Sequence, residues 1–131
     1  MMLWIDLVTV LAILEFLTFG MLVGRARGLY GVAAPATSGH EMFERYYRVQ
    51  MNTLEQLVAF IPALWLAARY WSPEWVALVG AVFLVGRVIY LRAYVREPAS
   101  RSLGFALSFL PTVGLLLSVL VGVAMKGFSA G

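Results

Sequence analysis

The chain has no cysteine. It therefore offers no thiol nucleophile of its own, no disulfide and no cysteine-based metal site, and any thiol chemistry must use a thiol carried by a substrate. A single histidine, His40, lies in Ser38-Gly39-His40-Glu41 with no acidic cluster beside it, so we expect a solvated loop residue and no metal. Charge is equally scarce: Asp, Glu, Lys and Arg make up 13% of 131 residues, against an apolar share of 62%. Soluble domains are about a quarter charged and about half apolar, so this composition excludes an ordinary soluble protein. No basic run accompanies the net charge of +3; the arginines stand near the ends of apolar stretches. That pattern points to membrane topology and anionic lipid as the role of the positive charge, with no nucleic-acid partner.

What is present is apolar length. A bilayer-spanning helix needs about 20 predominantly apolar residues, and four such stretches run from Leu3 to Val23, Thr53 to Trp71, Trp75 to Leu91 and Leu103 to Met125. The expected fold is an all-α integral membrane protein, a four-transmembrane-helix bundle forming one domain over residues 1–131. The first stretch has no Lys or Arg before it and is too long for the hydrophobic core of a cleavable signal, so it is expected to stay in the mature protein. Arg25, Arg27, Arg45 and Arg48 surround the first connection, and Arg87, Arg92, Arg96 and Arg101 the third; by the positive-inside rule these face the cytoplasm. Between the spans, the first connection, Gly28 to Glu41, reads as a loop, Ser72 precedes Pro73 as a candidate N-cap, and Pro98 should end the third helix, with Ser100 a candidate N-cap for the fourth. Trp4, Trp65, Trp71 and Trp75 suit interfacial anchoring or packing.

The chemistry concentrates in two places. Arg48, Asn52 and Glu55 are four and three residues apart and so project from one helix face, about one turn from each other. One reading is an internal Arg48 to Glu55 network that locks helix packing. The other is a pocket for a small zwitterion, with guanidinium for a carboxylate, amide for orientation and carboxylate for an ammonium group. On the third helix Arg87, Tyr90 and Tyr94 repeat the spacing, and Arg101 follows the Pro98 break. Tyrosines at a helix end serve as interfacial belt residues, yet two hydroxyls in register with an arginine also suit an anion or a thiolate. Asp6 and Glu15 read as interfacial or inter-subunit partners, although an acid in the first of four short helices also fits a small proton-coupled multidrug transporter.

The run Glu44-Arg45-Tyr46-Tyr47-Arg48-Val49-Gln50-Met51-Asn52-Thr53-Leu54-Glu55, followed by Arg87-Val88-Ile89-Tyr90-Leu91-Arg92-Ala93-Tyr94 and Arg101, resembles the MAPEG family, the membrane-associated proteins in eicosanoid and glutathione metabolism. The resemblance covers almost the whole chain and is to a bacterial-type member. It implies a homotrimer with glutathione, as co-substrate, bound between neighbouring subunits near the cytoplasmic side of a bacterial inner membrane. Arg48, Asn52, Glu55 and Tyr90 would hold the tripeptide ends, and Gln50 and Arg27 would approach from an adjacent subunit. Tyr94 would lie near the thiol, with Arg101 stabilising the thiolate. The implied activity is that of a glutathione transferase, with possible peroxidase chemistry, acting on a lipophilic electrophile or lipid hydroperoxide from the membrane. A non-catalytic lipid-binding member is the alternative within the family. Some eicosanoid-synthesising members carry Tyr directly after the motif glutamate, Pro soon after that, and a second Arg after the first. Here Gln56, Leu57, Val58 and Ala59 follow Glu55, Pro62 comes later, and Gly28 follows Arg27, which leaves the electrophile open.

Overall fold

The computed structural model describes residues 2–130. It consists of four helices, α1 (Leu3–Tyr30), α2 (Glu41–Tyr70), α3 (Pro73–Arg96) and α4 (Ser102–Ala130), with one 3-10 turn, Pro98–Ser100, between the last two. All four are long and apolar enough to cross a membrane. Each extends past the apolar stretch that announces it. The largest extension is in α2, which begins at Glu41 and carries the whole polar motif in its first half.

The helix ends follow local chemistry, with three departures from expectation. His40 is solvent-exposed, but it is also the N-cap of α2: its Nδ1 accepts from the Met42 amide at 3.1 Å, and its ring stacks on Tyr30 with centroids 4.3 Å apart. Ser72 occupies the N-cap position of α3, yet its hydroxyl donates to Glu74 rather than accepting from the backbone. Ser100 does not cap α4. It closes the 3-10 turn, where its hydroxyl reaches the carbonyls of Glu97 at 2.7 Å and Ala93 at 3.0 Å, and α4 starts at Ser102. Pro98 ends α3 as expected, while Pro62 and Pro111 sit inside helices that continue through them. Membrane helices tolerate such prolines because neighbouring groups take up the freed carbonyl.

Helices α2 and α3 form the middle of the bundle, with α1 packed on both from one side and α4 from the other. The α3 and α4 backbones touch. A Cβ placed on Gly104 would lie 2.5 Å from the Tyr90 backbone, and one on Gly86 would lie 2.8 Å from Leu107. Only glycine permits that approach, the close packing that stabilises helices in lipid, where no hydrophobic force draws them together. Toward the end holding both chain termini the interior is apolar, built from Ile5, Val8, Phe60, Leu64, Phe83 and Leu115. Toward the arginine-rich end it turns polar, with Asn52, Thr53, Arg87 and Ser108 all buried.

Candidate functional site

Helical spacing brings Arg48, Asn52 and Glu55 to one face of α2. The Arg48 Nη2 to Glu55 Oε1 ion pair is 3.1 Å long, and the two side chains are 47% and 59% exposed. It is therefore not the internal lock that one reading of the motif anticipated. Its charges are open to solvent and, being opposite, flank Asn52 on either side.

Asn52 is only 6% exposed. Its Oδ1 accepts from Arg87 Nη1 at 2.8 Å, and the same nitrogen donates to Thr53 Oγ1 at 3.1 Å. Arg87 Nε donates to Ser108 Oγ at 2.8 Å. The two hydroxyls can accept because each spends its own proton on a carbonyl: Thr53 on Val49 and Ser108 on Gly104, both at 2.8 Å. Arg87 is 0% exposed and its guanidinium lies 4.5 Å from the centre of the Tyr90 ring. This side chain from α3 thus straps α2 to α4 in the middle of the bundle. Sequence reasoning grouped Arg87 with Tyr90 and Tyr94 as a possible anion site; burial and these three hydrogen bonds take its guanidinium out of reach. Its partners Thr53 and Ser108 were missed, and the available signal was a charge and two hydroxyls inside otherwise apolar runs.

Tyr90 is buried and stacks on Tyr94 with centroids 5.5 Å apart. It lies within electrostatic range of Arg48, Tyr94 and Arg101 as well as Arg87, so one neighbourhood unites residues from α2, α3 and the turn before α4. Arg101 is exposed and donates from Nη1 to the Pro98 carbonyl at 3.0 Å, leaving its other N–H groups free.

Arg27 and Gln50 are not part of this neighbourhood. Arg27 donates to the Ala36 carbonyl at 2.6 Å and covers the Phe43 ring at 4.7 Å, while the Gln50 amide rests on Gly20 of α1. Gln50 is two residues from both Arg48 and Asn52, about 200° around the helix, and so faces the opposite side. Among the described residues no cluster of His, Asp and Glu is arranged to hold a metal.

Comparison with known proteins adds an independent finding. Residues 5–121 match the model of the MAPEG family. An uncharacterised protein of Synechocystis sp. is 50% identical over 91% of this chain and 90% of its own. Microsomal glutathione S-transferase 2 of Homo sapiens is 34% identical, over 89% of this chain and 80% of its own. Leukotriene C4 synthase of Cavia porcellus is 36% identical, over 89% and 83% respectively.

Proposed function

Because the chain belongs to the MAPEG family, we propose that it is a membrane-bound glutathione transferase that activates the thiol of glutathione for attack on lipophilic electrophiles, with lipid hydroperoxides as a second class of acceptor. The observation that carries this reading is the α2 face on which an exposed guanidinium and an exposed carboxylate flank a half-engaged amide. The γ-glutamyl end of glutathione is an α-amino acid zwitterion. Its carboxylate suits Arg48 and Asn52, and its ammonium suits Glu55, so the ligand exchanges one ion pair for two. Tyr90 borders the same face, and Arg27 and Gln50, facing away, are offered to a neighbouring subunit of a homotrimer. Arg25, Arg27, Arg45, Arg48, Arg92, Arg96 and Arg101 share this end of the bundle with the site, which supports a cytoplasmic location for it in a bacterial inner membrane.

A free thiol ionises with a pKa of about 8.5, so only a minority is thiolate at neutral pH. A guanidinium beside the sulfur and a tyrosine hydroxyl donating to it favour the anion, the roles of Arg101 and Tyr94. The thiol proton passes to solvent. In conjugation the sulfur lone pair forms the new C–S bond and the leaving group departs with its bonding pair. With a hydroperoxide the thiolate attacks the outer oxygen and the O–O bond breaks, giving a sulfenic acid and an alkoxide that takes a proton from solvent to become the alcohol; a second glutathione converts the sulfenic acid to disulfide and water.

Adding glutathione to the purified protein is expected to produce the ultraviolet absorbance of a bound thiolate. In Arg101→Ala that band should shift to higher pH and conjugation to a halonitrobenzene should slow at least about tenfold, with glutathione affinity within several-fold of wild type. Equal band and rate in the two proteins would exclude Arg101 from the chemistry. No thiolate band in the wild type would favour a non-catalytic lipid-binding role.

A further inference from the structure

Every hydrogen bond of Arg87 runs outward from it. A guanidinium has five N–H donors and no acceptor, so an amide placed against it can meet it only through its oxygen. That is the contact observed, Asn52 Oδ1 on Arg87 Nη1 at 2.8 Å. The consequence falls on the other end of the amide. Among the described residues the Asn52 nitrogen has no hydrogen-bond partner, yet it is not one of the buried unpaired atoms, which are Glu15 Oε1, Arg45 Nε and Arg87 Nη2. It reaches the accessible α2 face between Arg48 and Glu55, where it can only donate.

Arg87 is itself held against turning. Gly86 and Gly104 bring α4 close enough for Ser108 to take its Nε, Thr53 takes a share of Nη1, and the Tyr90 ring lies against the guanidinium plane. Of the charged groups around it, Glu15 on α1 acts on Arg87 electrostatically, and Arg48 and Arg101 act on the neighbouring Tyr90.

Building on the glutathione reading above, we propose that Arg87 is a positioning and specificity-determining residue: by locking the Asn52 oxygen inward it turns the amide into an obligate donor, and so selects the free carboxylate at the γ-glutamyl end of glutathione. A carboxylate offers an accepting oxygen to each of two donors, Arg48 and Asn52, whereas an amide in its place has only one, so its NH2 would meet a donor and one of the two contacts would be lost. The glycine carboxylate, at the other end of the tripeptide, is outside this control.

The test compares glutathione with two analogues, one amidated at the γ-glutamyl α-carboxylate and one at the glycine carboxylate, by calorimetry on the detergent-solubilised protein. Wild type should prefer glutathione over the first analogue by about tenfold or more. Arg87→Lys, still a pure donor, should keep that preference even where overall affinity falls. Arg87→Gln, whose amide can accept as well as donate, frees Asn52 to turn and should lower that preference at least about threefold relative to wild type, the remainder being due to Arg48, with the ratio for the glycine-end analogue unchanged. A preference undiminished in Arg87→Gln overturns the proposal.

Asn52 is the only asparagine in the chain, which supplies a second measurement independent of any variant. With 15N-asparagine labelling, its side-chain NH2 signal should move on adding glutathione and move less at saturation with the γ-glutamyl amide. A signal indifferent to glutathione that nevertheless binds overturns the inference alone. Absence of glutathione binding to the wild type overturns the functional reading and this inference with it.

Discussion

Arg48 and Glu55 are each about half exposed, and that determines how their loss will show. A surface ion pair contributes about 0–1 kcal/mol to stability, so Arg48→Ala and Glu55→Ala should leave thermal unfolding nearly unchanged. A charge-assisted hydrogen bond to a bound ligand is worth roughly 1.5–3 kcal/mol, so each substitution should weaken glutathione binding about 10–100-fold in a calorimetric titration. Unchanged affinity in both variants would remove the α2 face from the site. At this scale the sequence was informative about which residues share a helix face and poor about what that face meets. The spacing of Arg48, Asn52 and Glu55 set them on one face, because helical geometry alone decides that. Nothing in the spacing of Arg87, Tyr90 and Tyr94 distinguished a guanidinium offered to a ligand from one consumed by Asn52, Thr53 and Ser108, since those partners lie on two other helices.

Two glycines of α4 separate packing from propensity. Gly104 sits where a methyl group would strike the Tyr90 backbone at 2.5 Å, whereas Gly114 has nothing within 4 Å. Gly104→Ala must therefore push α4 away from α3 and lengthen the Arg87 to Ser108 bond, at about 1–3 kcal/mol for overpacking. Gly114→Ala has only the helix-propensity gain, about 0.5–1 kcal/mol. Thermal unfolding in detergent should fall for the first and hold or rise for the second; a Gly104→Ala protein as stable as wild type would show that the close approach is dispensable. The helix ends were legible where proline chemistry rules, as at Pro98, and misread where a hydroxyl had several carbonyls within reach. Ser100 turned back to Ala93 and Glu97 because the 3-10 turn brought those carbonyls to 3.0 and 2.7 Å.

For the molecule as a whole, the α2 face that displays Arg48 and Glu55 and the α1 side that holds Arg27 and Gln50 point in different directions, so the proposed glutathione site would draw Arg27 and Gln50 from a second copy. We expect native mass spectrometry from mild detergent to give a homotrimer; monomers alone would leave Arg27 and Gln50 without a role at the glutathione site. The sequence by itself determined the membrane class, the four helices and the family, because apolar length and a helical motif are local properties that survive without knowing what packs on what. Which face of each helix turns inward was decided only by the tertiary structure. In lipid an apolar face is equally stable inside or outside the bundle, so hydrophobicity carries no instruction. The instruction comes instead from glycines that let α3 and α4 touch and from a buried arginine that must find its acceptors on α2 and α4 at once.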